Sequence, residues 1–134
     1  NDLEIAGSLL KSDADLIILG GSIQKSTGSM IGHLAEQTMH DLRVDISFMG
    51  AMCIDSEFNI LTPTIEKAFL KRLITKNSNK SFLVVDSSKF YKQSFIKQNN
   101  LQDYTGVITD RIFTMAEQKL LMEKNINIIN VKKG

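Results

Sequence analysis

The chain alternates short apolar runs with stretches of helical period, and that alternation narrows its possible folds more than any other feature. Residues 14–21 (ADLIILGG), 44–50 (VDISFMG), 81–86 (SFLVVD), 105–110 (TGVITD) and 125–131 (NINIINV) read as strands. Between them, residues 32–42, 65–76 and 114–124 carry apolar side chains at helical spacing. The first of these places Leu34, Ala35, Thr38, Met39 and Leu42 on one face, and the second Ile65, Phe69, Leu70, Leu73 and Ile74. A further helix is predicted near Leu3 to Leu10 with Asp2 as its cap, and a short strand near Ser94 to Lys97. A run such as Phe82 to Val85, apolar on both faces, belongs inside a covered parallel sheet. The predicted fold class is therefore α/β, a mainly parallel, Rossmann-like sheet between helical layers with right-handed crossovers.

At 134 residues the chain fits one domain, 1–134, able to bury roughly two-thirds of its unfolded surface. Sixteen basic and 15 acidic residues leave a net charge of +1, which gives no electrostatic footprint for nucleic acid or an anionic membrane. The single Cys53 has no internal disulfide partner, and no apolar run approaches the ~20 residues that span a bilayer. A cytoplasmic protein is expected. Asn1 is not an initiator methionine and the opening stretch is not a signal peptide, so the chain is expected to be part of something longer.

Small or polar residues follow several of the strands: Gly20 and Gly21, Gly50 and Ala51, and Asp86-Ser87-Ser88-Lys89. In a parallel sheet these ends share one edge, where such folds keep their ligands. Glycines let backbone approach a ligand and expose N–H groups to an anion, and a lysine adds a compact positive charge. Together they suit a small phosphorylated ligand. The stretch GGSIQKSTGSMIG lacks the dinucleotide spacing and nothing matches a P-loop, so no nucleotide cofactor is expected. His33 and His40 lie seven apart on one helix without a carboxylate or cysteine at ligand spacing, so helix-terminal or surface positions are expected and no metal. Cys53 reads as a lining or buried thiol. Lys71 and Arg72, late in their helix, read first as complements to its dipole and second as ligand-facing.

The order of motifs carries a further signal. L-G-G, G-x-L-A-E-x-T (32–38), L-R-V-D-x-x-F-x-G-A (42–51), T-P-x-x-E-x-x-x-x-K-R (62–72), V-D-S-S-K-F (85–90) and V-I-T-D (107–110) together resemble the C-terminal effector-binding domain of DeoR-family bacterial transcriptional repressors over nearly the whole chain. The resemblance implies the fold of ribose-5-phosphate isomerase, glucosamine-6-phosphate deaminase and coenzyme A transferases. It also implies a phosphorylated sugar as effector, operator DNA bound only through a preceding winged helix-turn-helix, a homo-oligomer, and no membrane. The family's D-S-G-T-T-like phosphate loop is not found in this sequence.

Carried over by position, the implied ligand-binding residues are Gly20, Gly21, Gln24, Gly50, Ala51, Met52, Thr62, Glu66 and Lys89. Two of them depart from the family: Gln24 stands where an arginine is common, and Met52 replaces the acid of G-A-D-G-I-D. Losing that acid removes an acceptor for a sugar hydroxyl and a base for isomerisation. An isomerase- or deaminase-like enzyme, with Asp55 or Glu66 as substitute base, and a domain serving mainly oligomerisation are the alternatives. The loop at Asp86 and Ser87 has a plainer reading too, with both satisfying loop amides and Lys89 alone meeting ligand.

Overall fold

The computed structural model describes residues 1–132, so the last two residues of the expected domain lie outside the described ones. Its elements are α1 (Leu3–Leu9), β1 (Ser22–Gln24), β2 (Ser29–Ile31), α2 (His33–Asp41), β3 (Val44–Met49), β4 (Cys53–Ile54), β5 (Asn59–Thr62), α3 (Ile65–Lys76), β6 (Ser78–Val84), β7 (Ile96–Asn100), β8 (Gly106–Thr109), α4 (Met115–Glu123) and β9 (Ile128–Asn130). Strands β3, β6, β8 and β9 form a parallel sheet in that order. Strands β4, β5 and β7 form a separate antiparallel sheet, and β1 with β2 a hairpin.

In the parallel sheet each new strand is added on the same side of the last, so right-handed crossovers carry every connection over the same face. On that face Met49, Leu83 and Val107 are buried in one cluster with Ala35 and Met39 of α2, Leu70 and Ile74 of α3, and Leu121 of α4. On the other face Ile46, Phe48 and Val84 remain 51%, 66% and 46% exposed. Helices thus cover one face of the sheet rather than both, a correction to the expected sandwich. Phe48 stacks on Phe82 there at 5.8 Å, next to Gly106, whose missing side chain leaves room for Ile129.

Residues 14–21 do not form the expected strand. Leu16 to Leu19 pair with no ladder, and Ile17 is 80% exposed. A strand is stabilised by its cross-strand neighbours. This run has the side chains of a strand but no paired neighbour, lying instead beside the open edge of β3, where Ile17 and Leu19 line a groove with Met39, Val44 and Phe48. A turn at Asp55 to Asn59 closes the β4–β5 hairpin: Asp55 Oδ1 accepts from the amides of Glu57 at 2.9 Å and Asn59 at 2.8 Å. The short strand near Ser94 to Lys97 is displaced to Ile96–Asn100 and pairs with β5.

Two helix faces are rotated from their predicted orientation. On α2 only Ala35 and Met39 are buried, and Leu34 is exposed. On α3 the buried residues are Lys67, Ala68, Leu70 and Ile74, whereas Ile65 and Phe69 face solvent. Phe69 instead lies under the Arg72 guanidinium, which is fixed by donating to the carbonyls of Gln98 and Lys97 at 2.7 and 2.5 Å.

The carboxyl ends of β6 and β8 are locked together. Asp110 Oδ1 accepts from the Ser87 amide at 2.7 Å, and Asp86 caps the turn that follows β6 by accepting from the Ser88 amide at 2.8 Å. The next residue, Arg111, packs against the rings of Phe90, Tyr91 and Phe113 and donates to Glu117 Oε1 at 2.9 Å. Desolvation pushes the Glu117 carboxyl up, but hydrogen bonds from the Tyr91 hydroxyl, the Thr114 amide and Arg111 outweigh it and hold it at about 2.

A depressed acid stabilises the fold fully above its unfolded pKa of about 4.5 and loses that contribution as the pH falls toward 2. Urea unfolding of wild type and Glu117→Gln should therefore show wild type more stable at pH 7, with the gap closing between about pH 4.5 and 2. A gap that does not change with pH would remove Glu117 from this role.

Candidate functional site

At the carboxyl edge of the parallel sheet a cavity of about 220 Å³ is lined by Thr27, Gly50, Ala51, Met52, Thr62, Lys67, Lys71 and Lys89. The lining residues come from five different parts of the fold. Gly50, Ala51 and Met52 follow β3, Lys89 closes the short turn after β6, and Thr62 ends β5. Lys67 and Lys71, four apart and so on one face, come from α3. Thr27 is in the turn of the β1–β2 hairpin, whose chain reverses through bonds from the Thr27 and Gly28 amides to the Gln24 carbonyl.

The lysines are held by neutral oxygens. Lys67 Nζ donates to Gln24 Oε1 at 2.7 Å and Thr27 Oγ1 at 3.2 Å, and Lys71 Nζ to the Gly50 carbonyl at 2.5 Å. No carboxylate lines the cavity. Burial lowers the pKa of Lys67, with distant Asp2 partly opposing it, and burial followed by the like charge of Lys67 lowers Lys71 to about 8. Thr62 is 2% exposed and its hydroxyl has no hydrogen-bond partner. Three amines around a small space form an arrangement suited to an anion with several acceptor oxygens. Larger grooves, of about 270–530 Å³, lie beside α4, beside β3, between α2 and α3 and on the outer side of α2; none of these brings several amines together without an acid.

Of the residues singled out in the sequence, the structure brings Gly50, Ala51, Met52, Thr62 and Lys89 to this cavity. Gln24 stands behind the lining and reaches it through Lys67. Gly20, Gly21 and Glu66 are not on it. Glu66 is exposed on the first turn of α3, and the two glycines serve the backbone, with φ of 76° and 99°. Asp86 points to its own loop, so Lys89 is the residue of D-S-S-K that meets the cavity. Lys71 lines the cavity. Cys53 is buried in β4, and His33 and His40 are exposed near the two ends of α2. Lys67 and Thr27 were missed. A lysine in an amphipathic helix is ordinarily solvated, so nothing in the sequence signals that Lys67 turns inward or that Thr27 meets it.

A small cationic cavity at the carboxyl edge of a parallel sheet is the position at which α/β domains bind ligands. Residues 1–111 match the model of the DeoR C terminal sensor domain. The chain is 25% identical over 130 residues to "HTH-type transcriptional regulator GlpR" of Haloferax volcanii, covering 97% of this chain and 51% of that protein. It is 28% identical over 129 residues to "Glycerol-3-phosphate regulon repressor" of Escherichia coli, with 96% and 51% covered. To "Putative aga operon transcriptional repressor", also of Escherichia coli, it is 27% identical over 132 residues, with 98% and 49% covered. The chain belongs to the DeoR family of transcriptional regulators, as its C-terminal sensor domain. It spans about half the length of these relatives, which are named as regulators and not as enzymes. No described helix is long and apolar enough to cross a membrane.

The glycines separate by substitution. A Cβ on Gly21 would sit 2.5 Å from the Ile31 carbonyl oxygen at a φ of 99°, so Gly21→Ala should lower the unfolding free energy by about 1–3 kcal/mol or more in urea titrations. Gly50 has nothing within 4 Å of that position, and Gly50→Ala should stay within about 0.5 kcal/mol of wild type. Equal losses would contradict this division.

Proposed function

We propose that this domain senses a phosphorylated sugar or polyol, which enters the cavity at the carboxyl edge of the sheet and biases DNA binding by a winged helix-turn-helix elsewhere in the protein. The observation that carries the reading is the convergence of Lys67, Lys71 and Lys89, with no acid among the described lining residues. A phosphate dianion accepts from these amines and relieves their mutual repulsion. The names of the relatives, which refer to a glycerol-3-phosphate regulon and to an operon repressor, support a small phosphorylated metabolite. The family's likeness to ribose-5-phosphate isomerase, glucosamine-6-phosphate deaminase and coenzyme A transferases supports the same ligand class without requiring their chemistry.

Catalysis fits the cavity poorly. Aldose–ketose interconversion needs a placed general base at the substrate, and the loop carboxylate that the family resemblance leads one to expect is missing. Met52 occupies the acid's position, Asp55 is engaged in capping the β4–β5 turn with three donors from Glu57 and Asn59, and Glu66 lies off the cavity. With few acceptors for sugar hydroxyls, recognition rests chiefly on the phosphate, and the modest volume favours a short-chain ligand. A change in DNA affinity then requires that the ligand bind one arrangement of the regulator better than another. A homo-oligomer reading paired half-sites supplies such arrangements.

Thermal unfolding of the full-length protein against a panel of sugar and polyol phosphates tests the reading. At 100 times its dissociation constant a ligand should stabilise the protein by about 2.7 kcal/mol, and Lys89→Ala should remove most of that shift. No shift with any phosphorylated compound would refute it and leave oligomerisation as the domain's role. The binding should also depend on pH. Lys71 is protonated below about 8 and neutral above, so affinity for a phosphate monoester should fall as the pH rises through that value. Calorimetry across that range, with Lys71→Arg retaining affinity at the alkaline end, measures this.

A further inference from the structure

The Lys67 ammonium has three N–H donors, and the structure accounts for two of them, on Gln24 Oε1 and Thr27 Oγ1. Both acceptors are neutral and both belong to the β1–β2 hairpin, so a buried cation of α3 is committed to the hairpin without a counterion. Thr27 is tied into the same group, its hydroxyl lying 2.9 Å from Gln24 Oε1 and 3.2 Å from Ser29 Oγ. The third donor is left for whatever occupies the cavity that Lys67 lines.

The far side of the hairpin holds the first residues of the chain. The Leu3 amide donates to the Gly28 carbonyl at 3.1 Å, the Met30 amide to the Asn1 carbonyl at 2.8 Å, and Asn1 Nδ2 to the Met30 carbonyl at 3.1 Å. Asp2 bridges Ser29 in antiparallel fashion and also caps α1. A continuous set of hydrogen bonds therefore runs from the anion cavity through Lys67, Gln24 and Thr27 to Gly28, Ser29 and Met30, and from there to Asn1, Asp2 and Leu3.

We propose that Lys67 is the residue through which the cavity registers an anion: it donates its remaining N–H to the bound phosphate and thereby tightens the hairpin that carries residues 1–3. The proposal rests on the reading of the cavity as a phosphate site and adds the residue and the element that report its occupancy. Without an anion, Lys67 shares its charge only with two amide and hydroxyl oxygens, and the hairpin end of the bond can open into water at little cost. With an anion, opening would also separate an ion pair in a partly desolvated cavity, which costs more. Occupancy is thus converted into order of the β1–β2 turn and of the segment bonded to it, by contacts that exist in one state and not the other.

Hydrogen exchange read at single amides, with and without saturating inorganic phosphate, tests this in the full-length protein. In wild type the amides of Leu3, Thr27, Gly28 and Met30 should exchange about fivefold or more slowly when phosphate is bound. Lys67→Met should bind phosphate more weakly through Lys71 and Lys89 and, once saturated, show no slowing; Lys67→Arg should restore it. Gln24→Leu cuts the same connection from the hairpin side and should also abolish the slowing, which keeps the test decisive if Lys67→Met fails to fold. Bound phosphate with unchanged or faster exchange in wild type would overturn the proposal alone, as would slowing that persists in Lys67→Met or Gln24→Leu. Failure of wild type to bind phosphate or any sugar phosphate would instead overturn the reading of the cavity, and this inference with it.

Discussion

The site depends on β3 and β6 lying parallel and in register. Ser47 pairs with Ser81, Phe48 with Phe82 and Met49 with Leu83, so both strands end at the same level and deliver Gly50 and the D-S-S-K turn to one edge. The buried hydroxyls of Ser47 and Ser81, 2.8 Å apart, satisfy each other, which fixes that level: a slip by one residue would bury an unpaired hydroxyl and turn Leu83 out of the core. Helix α3 connects these two strands and lies over the same face. Its Lys71 can donate to the Gly50 carbonyl only because the register puts Gly50 beneath it. The cavity is therefore a consequence of one strand pairing and of the crossover that joins it.

That dependence explains how much of the molecule was readable from its sequence. Alternating apolar runs and helical periods identified β3, β6, β8 and β9 and the helices α2, α3 and α4, most of which bury apolar side chains of their own; β9 buries none fully and is held by its pairing with β8. Residues 14–21 have an equally apolar pattern and form no strand, since a ladder needs a second backbone, which the pattern of a single segment does not report. The antiparallel sheet of β4, β5 and β7 was hidden for the opposite reason. Its strands are short and join residues far apart, Asn59 with Asn100 and Thr62 with Ile96, and β7 is a polar run, I-K-Q-N-N, with Gln98 and Asn100 buried through hydrogen bonds rather than apolar contact.

The same distinction runs through the site. Gly50, Ala51 and Lys89 were accessible to sequence reasoning because they follow strands, and a parallel sheet brings its strand ends together, whereas Thr62 came only from the family resemblance. Lys67 was not, because a lysine in an amphipathic helix is ordinarily solvated, and its burial follows from a partner 43 residues away in sequence. Here the helix turns that lysine inward and sends Phe69 outward, against the simplest hydrophobic reading. Gly20 and Gly21 show the reverse error: they look like a phosphate loop in sequence, but their positive φ values serve the path of the chain into the hairpin.

A cluster of amines without acids is costly to a folded domain, since burial and repulsion both oppose charge. Here Lys67 and Lys71 are held by a glutamine, a threonine and a main-chain carbonyl, acceptors that orient an ammonium without neutralising it. An ion-paired lysine would be more stable and less responsive, because a ligand would first have to displace the carboxylate. With Met52 in the loop after β3 and no carboxylate among the described lining residues, the three amines keep their charge unneutralised, and the proposed anion reading depends on that property.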